Sequence, residues 1–187
     1  MQIESLKKFS EQNYGKLFFD YDLKKTNWFN IGGRAKAFFK PENLSDLVIF
    51  LRNFGNKERI FILGVGSNIL IKDNGFDGVV VKLGKNFSNI SMLPNKTIIA
   101  GSSITEKKVA EFASDNDIGG LEFLSCIPGS IGGGIRMNSG CFGSEFQDIL
   151  LSVQAIDRDG KVLTIPSTSI NFQYRKCDLP KDLIFLS

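Results

Sequence analysis

Gly64-Val65-Gly66-Ser67-Asn68, directly after Ile60-Phe61-Ile62-Leu63 and directly before Ile69-Leu70-Ile71, decides the fold of this 187-residue chain. It reads as an exposed-backbone turn wedged between two buried strands. Glycines there allow successive backbone N–H groups to converge on an anion with no Cβ in the way, and Ser67 and Asn68 add short donors. The stretch therefore reads as a phosphate or pyrophosphate cradle, with a plain hairpin as the alternative. A Walker loop needs Gly-Lys-Ser/Thr at its end, whereas Asn68 and Ile69 follow the serine here. A Rossmann fingerprint needs a third glycine opening a helix, and position 69 is isoleucine.

A second glycine cluster, Ile127-Pro128-Gly129-Ser130-Ile131-Gly132-Gly133-Gly134, continues through Ile135-Arg136-Met137 to Asn138-Ser139-Gly140. Pro128 is placed to precede a helix, and Ser130 can supply a capping oxygen. Such a helix start can face a phosphate. The competing reading is a glycine-rich helix packed closely on a sheet.

Composition bounds the chemistry. A chain of this length buries roughly 70% of its unfolded surface, enough for one large domain or two lobes. Its 23 basic and 20 acidic residues are dispersed and leave a net charge of +3, which offers no track for nucleic acid. Histidine is absent, which excludes Ser-His-Asp catalysis, histidine-ligated metals and a histidyl-linked flavin. Cys126, Cys141 and Cys177 match no zinc spacing and read as free thiols in a reducing compartment. No window approaches a membrane span, so a soluble, cytoplasmic protein without membrane insertion is expected.

Along the chain, residues 1–26 read as an N-terminal arm, with a possible helix from Ile3 to Gln12. Asn27 to Ala35 is a turn passing into a strand that ends near Phe39. Leu44, Leu47, Val48 and Leu51 recur at helical spacing behind an Asn43 cap, with a stop near Gly55. Ile60 to Leu63, Ile69 to Lys72 and Gly78 to Leu83 read as strands, with turn signals at Asp73-Asn74-Gly75 and Asp77-Gly78. Thr97 to Ala100 is a strand running into Gly101, followed by a helix that opens on a Ser103-x-x-Glu106 capping box and stops at Gly119-Gly120. Leu150 to Ile156 and Lys161 to Ile165 form a hairpin around Asp157-Arg158-Asp159-Gly160, and Leu183 to Leu186 reads as a last strand.

The order of these pieces resembles the UDP-N-acetylenolpyruvoylglucosamine reductase family. The resemblance rests on Trp28-Phe29-Asn30-Ile31-Gly32-Gly33 with Ala35, on Gly64 to Asn68 with Asp73 and Gly75-Phe76, and on Gly119 to Phe123 leading into Ile127 to Gly133. Asn138-Ser139-Gly140 with Gly143, and Phe172-Gln173-Tyr174-Arg175, complete it. The resemblance implies an α+β fold, the FAD-binding fold of the vanillyl-alcohol-oxidase class. Its two lobes would be residues 27–85 and 86–187.

It also implies non-covalent FAD, with Ile31, Gly32, Gly64, Val65, Gly66, Ser67 and Asn68 on the pyrophosphate side. Gly101, Pro128, Gly129, Ser130, Gly132, Gly133, Asn138 and Gly140 would serve the flavin. The implied reaction is the NADPH-dependent reduction of an enolpyruvyl UDP-sugar in peptidoglycan synthesis. Arg175, with Tyr174, matches the catalytic pair, its guanidinium suited to the substrate carboxylate. No metal is implied. The family's proton-donating serine and second acidic residue belong to a C-terminal substrate-binding domain beyond the Tyr-Arg motif, and the sequence stops at Ser187. Two expectations therefore stand side by side: an oxidoreductase whose FAD half is present, and an FAD-binding scaffold without chemistry of its own.

Overall fold

The stretch read as an N-terminal arm contains the expected helix and also contributes a strand to a sheet. In the computed structural model, which describes residues 3–187, Ile3–Ser10 forms helix α1 and Lys16–Asp22 forms strand β1, antiparallel to β2 (Arg34–Lys40). Leu17 and Phe19 alternate inward and meet Phe39 and Ala37 across the pair. The alternation is present in the sequence, but it yields a strand only because β2 offers an unpaired edge. Met1 and Gln2, the start of that arm, lie outside the described residues.

The chain forms two units, one running to Asn86 and including Asp157–Lys161, the other made of Phe87–Ile156 and Val162–Ser187. In the first, helix α2 (Leu44–Phe54) leads from β2 to β3 (Ile60–Ile62), and β4 (Phe76–Val81) lies between β2 and β3, parallel to both. The Asn43 side chain caps α2 by accepting from the Asp46 amide at 2.9 Å, as the sequence predicts.

Aromatic residues cover this sheet on both faces. Phe39 stacks on Phe50 of α2 at 4.3 Å, and Phe9 of α1 packs edge-on against Phe39, Phe50 and Phe54. Phe38 stacks on Tyr21 at 4.2 Å within a cluster of Leu23, Ala35, Leu63 and Val80. Each such ring pair adds about 0.5–1.5 kcal/mol beyond its burial.

Ile69 to Lys72, expected to be a strand, is irregular. Ile69 and Ile71 do point at the Phe38 cluster, and Leu70 is exposed, so the alternation is real. The segment's carbonyl partner is a turn, however: the Gly33 and Gly75 amides both donate to Lys72 O at 2.9 Å. Asp77-Gly78, expected as a turn, lies inside β4. The hairpin tip at 157–161 also belongs to this unit, where the Asn56 amide donates to the Asp159 carboxylate at 2.6 Å.

The second unit begins with the antiparallel pair β5 (Ile90–Met92) and β6 (Ile98–Ala100), followed by α3 (Glu106–Asp115) and α4 (Ile131–Met137). Next come the short strands β7 (Gly140–Cys141) and β8 (Ser144–Glu145) and the single turn α5 (Phe146–Ile149). The predicted hairpin is β9 (Ser152–Ile156) with β10 (Val162–Pro166). A second hairpin pairs β11 (Phe172–Gln173) with β12 (Lys176–Cys177), and β13 (Ile184–Phe185) joins the free edge of β9. Ile104, Val109, Leu124, Ile135, Phe146 and Val153 are central to the core.

The expected Ser103-x-x-Glu106 capping box does not form. Thr105 caps α3, and Glu106 turns its carboxyl into the interior, where it has no exposed surface. The helix stops at Asp115, earlier than the Gly119-Gly120 signal, because Asn116 and Asp117 turn the chain.

Candidate functional site

The Gly64 to Asn68 turn leaves a row of main-chain donors unused. Among the described residues, none of the amides of Gly64, Val65, Gly66, Ser67 and Asn68 donates within the protein, and the Ser67 and Asn68 side chains are also without partners. Gly66 is nevertheless buried. Gly64 and Asn68 are exposed and Val65 and Ser67 half-buried, so the run of free amides lies on an accessible turn where an outside acceptor can reach it. The loop is braced from beneath: the Trp28 amide donates to Gly66 O at 3.0 Å. At φ +78°, Gly66 comes so close to the preceding turn that a Cβ would lie 2.2 Å from the Thr26 carbonyl oxygen. Only glycine satisfies both conditions.

Asn27 sits under the same loop and is 5% exposed. Its amide nitrogen donates to the Leu23 and Ile31 carbonyls at 2.9 Å, which leaves Oδ1 buried with no partner. Ile31 thus gives its carbonyl to a structural bond, and Gly32, at φ +113°, makes room for Ile71. Trp28, Phe29 and Ile31 remain exposed on the same turn. In the sequence Asn27 is simply the first residue of a turn, and no signal distinguishes it.

The candidates of the second unit are mostly committed to the fold. The Gly101 amide donates to Asn89 O, Gly129 to Ile127 O and Gly132 to Ser102 O. Ser130 occupies the N-cap position of α4 without making the expected side-chain capping bond, because the first turn is anchored by main chain: the Ile131 amide donates to Ile104 O. Asn138 is fully buried at φ 42°, its oxygen accepting from the Gln147 amide and its nitrogen donating to Gln173 O. Its side chain therefore ties two separate stretches of backbone together. Gly140 has no room for a Cβ beside Ser144 O and gives its carbonyl to Arg175. The amides of Ser130 and Gly133 and the hydroxyls of Ser130 and Ser102 have no partner among the described residues, the Ser102 hydroxyl being buried next to Gly132. Pro128 precedes α4 as the sequence predicts.

Two polar residues in this unit escape a pattern reading. Glu106 faces Gly129 and Gly134, where a Cβ would fall 2.2 Å and 2.7 Å from its Oε1. Burial pushes its carboxyl up to about 8, against a hydrogen bond from Ser139 that acts the other way. Gly129 thus leaves room for the Glu106 carboxyl, and Gly134 for both that carboxyl and the Phe146 ring. Arg136 donates to the carbonyls of Leu179, Pro180 and Leu183 and lies 4.2 Å over the Phe185 ring, pinning the last strand to α4.

Tyr174 and Arg175 form the two-residue tip of the β11–β12 hairpin, and both are exposed. Arg175 adopts φ +56°, the left-handed region that such turns usually give to glycine. Its guanidinium reaches Gly140 O at 3.3 Å and lies 5.3 Å from the Tyr174 ring. The geometry brings Arg175 to Gly140 but leaves its remaining donors open to an oxyanion. Among the described residues no group of side chains could hold a metal, and no helix is long and apolar enough to cross a membrane.

Comparison with known proteins identifies relatives of the chain and of its fold. The family model described as "FAD binding domain" matches residues 35–166. A UDP-N-acetylenolpyruvoylglucosamine reductase of Pelagibacter ubique is 62% identical over all 187 residues, which make up 62% of its length. The Rickettsia canadensis reductase is 48% identical over 89% of this chain and 56% of its own length. The chain therefore spans about six-tenths of the curated relatives it matches. The crystal structure of the Thermus caldophilus reductase superposes with a TM-score of 0.77 at 26% identity, covering 92% of this chain and 59% of that one. The BBE-like 1 protein of Physcomitrella patens, at 18% identity and a TM-score of 0.58 over 87% of this chain and 38% of its own, shares the fold. With its α+β units, its free amides at Gly64 to Asn68 and these relatives, the chain belongs to the FAD-binding domain family.

Proposed function

We propose that this chain is the FAD-holding part of a UDP-N-acetylenolpyruvoylglucosamine reductase acting in the cytoplasmic stage of peptidoglycan synthesis. The observation that carries the reading is the run of unpartnered amides from Gly64 to Asn68. Hydrogen bonds to a charged group contribute about 1.5–3 kcal/mol each, so a few such amides suit a diphosphate. In the first unit, Gly64, Val65, Gly66, Ser67 and Asn68 would hold the diphosphate, with Ile31 and Gly32 shaping the adjoining turn and Asn27 Oδ1 offering a buried acceptor. In the second, the Ser130 and Gly133 amides and the Ser102 and Ser130 hydroxyls are free donors beside Pro128 and Gly132.

FAD, when bound, supplies the hydride relay between NADPH and the enolpyruvyl double bond. Arg175 would bind the carboxylate of the enolpyruvyl UDP-sugar through two parallel N–H donors and stabilise the negative charge that grows there as reduction proceeds. Its left-handed backbone supports this role, since the turn would be easier to form with glycine. Tyr174 holds the guanidinium from its ring face.

FAD titration of the purified chain, followed by quenching of flavin fluorescence, tests the cradle. Saturable binding that weakens when Ser67 and Asn68 are both replaced by alanine is the expected result, and a folded chain that leaves added FAD free would refute it. NADPH oxidation in the presence of the UDP-sugar then separates a reductase from a chain that holds flavin without turnover.

A further inference from the structure

Cys126 ends the short 3₁₀ turn Glu122–Cys126, and Cys141 lies in β7. Their sulfurs are 3.2 Å apart although the residues are separated by 15 positions in sequence. Cys126 is exposed and Cys141 half-buried, whereas Cys177 is buried, with its sulfur 3.9 Å from the Arg136 guanidinium. A disulfide needs a sulfur separation of about 2.05 Å, so closure asks for roughly 1 Å of side-chain movement. The Cys126 sulfur also lies 3.1 Å from Phe123 O, which holds it facing Cys141.

We propose that Cys126 and Cys141 form a reversible dithiol–disulfide couple, oxidised by small-molecule disulfides. The Cys126 thiolate attacks one sulfur of the small disulfide; the old S–S bond breaks, a mixed disulfide forms on Cys126, and the first small thiol leaves. Cys141 then loses its proton and attacks the Cys126 sulfur, expelling the second small thiol. The protein gives up two electrons and two protons, and both protons end on the released thiols. The order follows from exposure: Cys126 meets solvent, and Cys141 stands behind it as the resolving thiol. Its neighbour's hydrogen bond and desolvation push the Cys141 thiol up, and the Arg175 charge acts in the opposite direction. Once closed, the bond ties the turn that leads into Pro128 to the residue next to Gly140, whose carbonyl receives Arg175.

The test is incubation of the full chain with oxidised glutathione over a range of ratios to reduced glutathione, followed by alkylation and peptide mass mapping. The expected product, weighed intact before alkylation, is lighter than the reduced chain by two hydrogens; it joins the Cys126 and Cys141 peptides, keeps Cys177 as a thiol, and reverts with dithiothreitol. The Cys141→Ser chain should instead accumulate one glutathione on Cys126, and Cys126→Ser should form no internal disulfide. A wild-type chain that stays fully reduced across the series, keeps glutathione on Cys126 without closing, or links through Cys177 overturns the proposal.

Discussion

Replacing Glu106 by glutamine should make the protein's stability markedly less dependent on pH. An unfolded glutamate gives up its proton near 4.5, whereas in the fold burial retains it to about 8. Between these values the folded state binds more protons than the unfolded one, so stability falls as pH rises through the window. The slope for one proton is about 1.4 kcal/mol per pH unit, and from pH 5 to pH 8 the loss approaches 3–4 kcal/mol. Glutamine keeps the shape and the link to Ser139 but carries no proton to lose. Urea unfolding of both chains at pH 5 and pH 8 isolates the effect, because every other titrating group cancels in the difference. The variant should gain about 3–4 kcal/mol on the wild type between the two conditions. An identical wild-type-to-variant difference at both pH values would refute the assignment of Glu106 as a buried, protonated acid.

Gly66→Ala should lower the unfolding midpoint and weaken FAD binding at least about tenfold, since the left-handed φ alone costs roughly 1–2 kcal/mol and the new Cβ meets Thr26 O; unchanged stability and affinity would remove the loop from the account. Ser67→Ala, which deletes only a hydroxyl, should leave the midpoint alone and weaken FAD a few-fold in the same titration. Arg136→Met strands the carbonyls of Leu179, Pro180 and Leu183 and should cost about 3 kcal/mol in a denaturant titration. Arg136→Lys should recover little of that, because an ammonium cannot fork to several carbonyls. Arg175→Gly should raise the thermal midpoint slightly, by releasing about 1 kcal/mol of left-handed strain, without changing FAD affinity, while NADPH-dependent reduction falls; a drop in midpoint would make the arginine structural.

Several elements were legible because their signals are local. The α2 helix reads directly from Leu44, Leu47 and Leu51 behind Asn43, and the β9–β10 hairpin from Asp157-Arg158-Asp159-Gly160. Ile69 and Ile71 show how far such signals reach. Their alternation correctly places them against the sheet, yet a strand also needs a partner edge, and Gly33 offers a turn. Glu106 three residues after Ser103 fits a capping box by spacing alone, but the room left at Gly129 and Gly134 draws it inside.

By itself the sequence determined that the chain lacks histidine chemistry, carries two glycine clusters in the order of an FAD-binding fold, and places a Gly-Val-Gly-Ser-Asn turn after β3. The tertiary structure decided which of those glycines still own a free amide. Gly64, Gly66 and Gly133 keep theirs, whereas Gly101, Gly129 and Gly132 spend theirs on neighbouring carbonyls. A glycine looks the same in sequence whether it makes room for a ligand, for a carboxyl or for another strand. The difference lies in which acceptor reaches its N–H, and distant segments supply that acceptor only after the chain has folded.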